Sequence, residues 1–140
     1  MKVSTSTNSN PKRDLVVVVP TLNEKAGIRE VLNSLHTKLK GFTYEVIAVD
    51  GGSRDETVRI AKNMGAIAIH QTRRGYGDAL RTGMEYATAN FDAKAIVFMD
   101  ADGTYPPGNM IDLLKPIVSD EADLVIGNRF ATLEKGSMTF

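Results

Sequence analysis

Short apolar runs and helix-period stretches take turns along this chain from Leu15 to Ile126, and that alternation limits the folds open to it. Leu15–Val19 is apolar at every position, as expected of a strand buried on both faces, and it stops at Pro20. Ile28, Val31, Leu32, Leu35 and Leu39 recur at helical spacing and predict an amphipathic helix over Lys25–Lys40. Tyr44–Val49 reads as a second strand, ended by Asp50-Gly51-Gly52. Ser53 and Glu56 then have capping-box spacing for a second helix with Val58, Ala61 and Met64 on its inner side. Ala66–His70 reads as a strand and Gly77–Ala89 as a helix weakened by Gly83. Ala95–Met99 is a fourth strand, Gly108–Val118 a helix started by Pro106-Pro107, and Asp123–Ile126 a fifth strand. Strict alternation calls for right-handed crossovers, and so for an α/β fold whose mainly parallel sheet is covered by helices.

The chain's 140 residues suit one domain, and a domain near this size buries roughly 68% of its unfolded surface. Formal net charge is zero, so no global field draws in nucleic acid or an anionic membrane, and no nucleic-acid partner is expected. The absence of cysteine excludes disulfides and thiolate metal sites, which fits a reducing compartment. The longest aliphatic run, Leu15 to Val19, is far short of the ~20 residues of a spanning helix. Met1–Arg13 is rich in Ser, Thr and Asn and lacks an apolar core, so residues 1–13 are expected as a disordered tail rather than a signal peptide. The domain then covers residues 14–140.

Chemistry concentrates at the carboxyl ends of the expected strands, where open α/β sheets bind their ligands. Asp100-Ala101-Asp102 follows Ala95–Met99 directly, and two carboxylates so spaced can share a hard divalent cation. Mg²⁺ or Mn²⁺ takes oxygen ligands, commonly one or two carboxylates with water and substrate phosphate filling the rest. Pro20-Thr21-Leu22-Asn23-Glu24 follows the first strand. Thr21 and Glu24 serve either as a capping box or, in Glu24's case, as a ligand group. In Asp50-Gly51-Gly52-Ser53 the glycines permit a tight turn and Ser53 caps, which leaves Asp50 for a base imino group or ribose hydroxyls.

Arg73-Arg74-Gly75-Tyr76-Gly77-Asp78 falls short of a dinucleotide fingerprint, because Leu80 holds the third glycine position and four residues separate the first glycine, Gly75, from the third strand. No G-x-x-x-x-G-K-[ST] loop occurs. A basic loop near phosphates, or a solvated one, fits the pattern better. Thr104 either offers one more oxygen near a metal or is a turn residue without a metal role, and Arg129 after the fifth strand is either a phosphate fork or a surface residue. His36 and His70 are isolated and receive no role.

Taken together, Val17-Val18-Val19-Pro20-Thr21-Leu22-Asn23-Glu24, Val49-Asp50-Gly51-Gly52-Ser53-Arg54-Asp55, Asp100-Ala101-Asp102-Gly103-Thr104-Tyr105-Pro106-Pro107 and Gly127-Asn128-Arg129-Phe130 resemble the family 2 glycosyltransferases. The branch most resembled is the dolichyl-phosphate mannosyltransferase-like, or polyprenyl-phosphate glycosyltransferase, group. The resemblance spans Leu15 to Phe140 and implies the nucleotide-binding half of a GT-A, Rossmann-like fold, metal dependence and inversion at the anomeric carbon. It places Pro20, Leu22 and Glu24 at the base pocket and Asp50 at the base or ribose. It also places Ala101 in the nucleotide site, Asp100 and Asp102 on Mg²⁺ or Mn²⁺ at the diphosphate, and Arg129 on the phosphate side.

The implied donor is a nucleotide sugar, GDP-mannose or UDP-glucose, and the implied acceptor a polyprenyl or dolichyl phosphate. Such an acceptor is already an oxyanion near neutral pH, so no catalytic base is assigned. The family's usual first-motif aromatic is Leu22 here, its second motif Asp is Gly51, and a common Gln after the Asp pair is Thr104. The acceptor-side segment of the family is expected to be missing beyond Phe140, with uncovered apolar faces open to self-association. The expected location is the cytoplasm, with peripheral attachment to the membrane's cytoplasmic face as the alternative. A noncatalytic nucleotide-binding or assembly fragment is the competing function. A nucleotidyltransferase ranks last, since the first turn lacks a Gly-rich basic phosphate loop.

Overall fold

The computed structural model describes residues 9–104 and 107–128. Four parallel strands, β1 (Lys12–Thr21), β2 (Tyr44–Asp50), β3 (Ile67–His70) and β4 (Asp92–Phe98), form a sheet in the order β3-β2-β1-β4. Helices α1 (Lys25–Lys38), α2 (Thr57–Asn63) and α3 (Tyr76–Asn90) make the crossovers. The first two step from β1 outward to β3, whereas α3 returns across the sheet to β4. Right-handed crossovers therefore put α3 on the face opposite α1 and α2. The chain reverses direction between β1 and β4, which makes their carboxyl ends the switch point of the sheet.

Strand β1 runs down the middle, and Leu15 to Val19 are wholly buried. Burial of each such side chain contributes about 1.5–3 kcal/mol. Alternation along the strand sends Val16 and Val18 to the α3 side, where they join Ile47, Val49, Ala79 and Ala87. Gly83 lets α3 come this close, for a Cβ there would stand 2.2 Å from Val18 Cγ1. On the other face α1 and α2 pack together, with Ile28, Val31, Leu32 and Leu35 of α1 buried.

Strand β1 begins at Lys12, inside the segment expected as tail, because Lys12 and Arg13 pair with Asp92 and Ala93. It also continues through Pro20, although proline in a central strand ordinarily loses a ladder bond. The register explains it. Residues pointing toward β4 alternate through Val18, whose carbonyl accepts from Met99 N–H at 3.1 Å, and the β1–β4 pairing ends at Val18 and Phe98. Pro20 thus lacks its N–H on the side that β4 has already left. The parting of these two strands opens a crevice.

The second compact unit begins at Asn109. In it, α4 (Met110–Val118) follows a 3₁₀ turn at Pro107–Asn109 and buries Met110 and Leu114. The strand expected at Asp123–Ile126 does not form, and Leu124 and Ile126 are 76% and 80% exposed. A strand is stable through its neighbours' backbone groups, and the described residues pair none with this segment.

Candidate functional site

A cleft of about 610 Å³ opens at the carboxyl end of the sheet. Pro20, Thr21, Leu22 and Glu24 contribute one wall, and Asp100, Ala101 and Asp102 another. Gly51 and Gln71 from the ends of β2 and β3 also line it, as do Arg74, Gly75, Tyr76 and Ala79 around the start of α3. Six residues expected at the site, Pro20, Leu22, Glu24, Asp100, Ala101 and Asp102, are therefore brought together. Arg129 lies outside the described residues, as do Tyr105 and Pro106.

Asp50 is not part of the lining, and the structure gives it the duty the sequence did not reveal. Its carboxylate is 2% exposed and holds its own turn. Oδ2 accepts from Gly52 N–H (2.9 Å) and Ser53 N–H (3.0 Å), and Oδ1 accepts from the Ser53 hydroxyl (2.5 Å). His70 Nδ1 stands 3.4 Å from Oδ2. The two capping boxes are corrected as well: α1 starts after Glu24 and α2 after Glu56, neither of these residues caps with its side chain, and at the start of α2 the Thr57 N–H donates to Asp55 Oδ1 (3.0 Å).

The caps of α1 come instead from the turn that precedes α2. Glu24 N–H donates to Thr57 Oγ1 (2.9 Å) and Lys25 N–H to Asp55 Oδ2 (3.3 Å), so the second turn satisfies the first helix's orphan donors. Asn23 N–H donates to Ser53 Oγ (2.9 Å), and Arg54 N–H returns to Asn23 Oδ1 (2.8 Å). Gly51 N–H adds a bond to the Thr21 carbonyl (2.9 Å). The Thr57 hydroxyl, itself bonded to Asp55, holds that carboxyl below its ordinary pKa. These bonds brace Leu22 and Glu24 against the β2 end of the sheet.

The basic loop is also held. Gln71 Nε2 donates to the carbonyls of Arg73 (2.5 Å) and Gly75 (3.2 Å). Asp78 accepts from Arg73 N–H (2.7 Å) and Arg81 Nη2 (2.9 Å), and Arg81 above all keeps its carboxyl below the usual range. Gly75, at φ 103°, makes the left-handed bend that starts α3. Arg74 is thereby placed on the same cleft as the Asp pair. Composition signalled the arginines, but nothing periodic signalled Gln71 or Tyr76.

Asp102 is exposed and bonded to the next turn, with Oδ1 accepting from Thr104 N–H (2.9 Å) and Thr104 Oγ1 (2.5 Å). Asp100 is half-buried and accepts from the Tyr76 hydroxyl. Among the described residues, no three His, Cys, Asp or Glu side chains converge as a closed metal cage. Two carboxylates on an open cleft form an all-oxygen donor set, which fits Mg²⁺ or Mn²⁺ completed by water and phosphate and does not fit a structural zinc.

The family profile described as Glycosyl transferase family 2 matches residues 16–137. The chain belongs to glycosyl transferase family 2. Within that family it is 38% identical over 126 residues to a dolichyl-phosphate hexose transferase of Haloferax volcanii, covering 90% of this chain and 51% of the relative. It is 29% identical over 119 residues to a dolichol-phosphate mannosyltransferase of Pyrococcus furiosus, covering 81% and 32% respectively. A solved glucosyl-3-phosphoglycerate synthase from Mycobacterium tuberculosis, in complex with Mn²⁺, UDP-glucose and phosphoglyceric acid, superposes with a TM-score of 0.65 at 29% identity. That match covers 78% of this chain and 41% of the synthase. The fold is thus the GT-A arrangement expected from the motifs, and the chain spans about half the length of the curated relatives it matches. No helix among the described residues is long and apolar enough to cross a membrane.

Proposed function

We propose that this chain forms the donor-binding part of a metal-dependent, inverting hexosyltransferase that moves mannose or glucose from a nucleoside-diphosphate sugar to a polyprenyl phosphate. The observation that carries the reading is the convergence of Glu24, Arg74, Asp100 and Asp102 on one cleft at the switch point of the sheet. Relatives named as dolichyl-phosphate transferases support the acceptor class, and a UDP-glucose complex with Mn²⁺ supports the donor class and the metal.

In this reading Pro20 and Leu22 flank the base, while the braced Asp50 turn sets Gly51 beside it. Asp100 and Asp102 hold the divalent cation, and Arg74 faces the diphosphate with a planar, permanently charged fork. Bound Mg²⁺ or Mn²⁺ supplies stabilisation of the charge that develops on the departing nucleoside diphosphate. The cleft residues orient the donor, and the phosphate acceptor attacks without needing a base. The chain from Lys12 onward then serves in nucleotide-sugar binding, with Arg129 adding to the phosphate side and attachment to the cytoplasmic membrane face bringing it to a lipid acceptor.

Calorimetric titration with GDP and with UDP, each with Mn²⁺ and with EDTA, tests this on the chain and on Asp102→Ala. Metal-dependent binding of one nucleotide, abolished in the variant, is the expected result and also names the base. Metal-independent affinity, or none for either nucleotide, overturns the reading.

A further inference from the structure

Tyr76 opens α3, yet its hydroxyl reaches the end of β4 and donates to Asp100 Oδ1 at 2.7 Å. The side chain is 56% exposed, so burial of the ring does not account for its position. The loop behind it does. The bend at Gly75, the Gln71 bonds to two loop carbonyls and the Asp78 clasp on Arg73 together hold the start of α3 in place. Asp100 Oδ2 accepts no hydrogen bond among the described residues.

Resting on the donor-site reading above, we propose that Tyr76 is a positioning residue for the divalent cation. Its O–H occupies Oδ1 and fixes the carboxylate plane, which leaves Oδ2 as the oxygen that binds the metal. A neutral donor suits this task. A lysine or arginine in its place would compete with the cation for the carboxylate's charge, whereas a phenol orients the group and leaves that charge available. Outer hydrogen bonds of this kind typically govern metal affinity by about 10–100-fold.

The test follows the free Mn²⁺ paramagnetic resonance signal as Mn²⁺ is titrated into the full chain with UDP or GDP, beside calorimetry of the nucleotide in EDTA. For Tyr76→Phe the expected result is Mn²⁺ binding weakened by about tenfold, with any metal-free nucleotide binding and the urea midpoint unchanged. A packing role would instead lower the urea midpoint together with Mn²⁺ binding. That outcome, or Mn²⁺ binding equal to wild type, overturns the inference. Asp102→Ala separates the two levels of argument. Loss of the metal-dependent signal there, together with an unaffected Tyr76→Phe, removes the role of Tyr76 alone. A wild-type chain with no Mn²⁺-dependent binding removes the donor-site reading and the role of Tyr76 with it.

Discussion

The first turn of α1 runs hard against the Asp-x-Asp segment: a Cβ built on Gly27 would stand 1.8 Å from the carbonyl oxygen of Ala101. Because the obstacle is backbone, no side-chain rotation relieves it. Alanine ordinarily improves a helix by up to about 1 kcal/mol over glycine, but overpacking costs about 1–3 kcal/mol. Gly27→Ala is expected to lower the urea midpoint and to displace Asp100 and Asp102, weakening Mn²⁺-dependent nucleotide binding. A variant as stable as wild type with intact binding contradicts the contact.

Gly83 makes the corresponding approach on the other face, but here a side chain is the obstacle, 2.2 Å from the hypothetical Cβ at Val18 Cγ1. Gly83→Ala is therefore expected to destabilise by about 1–3 kcal/mol. Pairing it with Val18→Ala should recover part of that loss. A double-mutant cycle in denaturant reads the coupling, and strict additivity of the two changes would count against it.

Thr57 is wholly buried and supplies the acceptor for Glu24 N–H. Thr57→Val keeps the shape and removes the oxygen, leaving a donor unsatisfied at a cost of about 1–3 kcal/mol. Chemical denaturation measures the loss. Amide exchange at Glu24 should rise with it, and an unchanged exchange rate would show that the amide has found another partner.

Leu22 stands 55% exposed on the cleft wall. An aromatic ring at that position can stack on a base, an interaction worth about 1–3 kcal/mol. Leu22→Tyr is expected to tighten nucleotide binding several-fold by calorimetry, with the metal requirement retained. Equal or weaker affinity would place the base elsewhere in the cleft.

Acid should weaken the fold in a defined window. Asp14 accepts from Lys94 Nζ and from the Thr43 N–H and hydroxyl, and the Lys94 bond leads in holding its carboxyl down to about 2. Asp55 and Asp78 are lowered too, chiefly by Thr57 and Arg81. An unfolded chain takes up these protons first, near the ordinary carboxylate pKa of about 4. The contribution is thus complete above that value and fades as the pH falls toward about 2. Asp14→Asn should flatten the dependence of the urea midpoint on pH across this window. An identical slope in variant and wild type would assign the acid sensitivity to other groups.

The sheet was legible because parallel strands covered on both faces carry long apolar runs such as Leu15–Val19. The cleft residues were legible for a related reason, since parallel strands deliver their following turns to one edge. Asp123–Ile126 shows where pattern stops: its apolar residues resemble a strand, but pattern does not supply a neighbour. Spacing misled at Ser53 and Glu56 because the Ser53 hydroxyl serves Asp50 and Asn23, 30 residues away in the second case. Gln71 and Tyr76 act through loop geometry, which leaves no period to read.

The hydrogen bonds between the two turns join one wall of the cleft to the second crossover. Two donors at the amino end of α1, the N–H groups of Glu24 and Lys25, find their side-chain acceptors in the Asp55–Thr57 segment of the following crossover. The first strand–helix unit is thus completed by groups of the second, which also hold Asn23, between Leu22 and Glu24, by two hydrogen bonds. Fraying at one turn removes hydrogen-bond partners from the other, so the two turns are expected to open together.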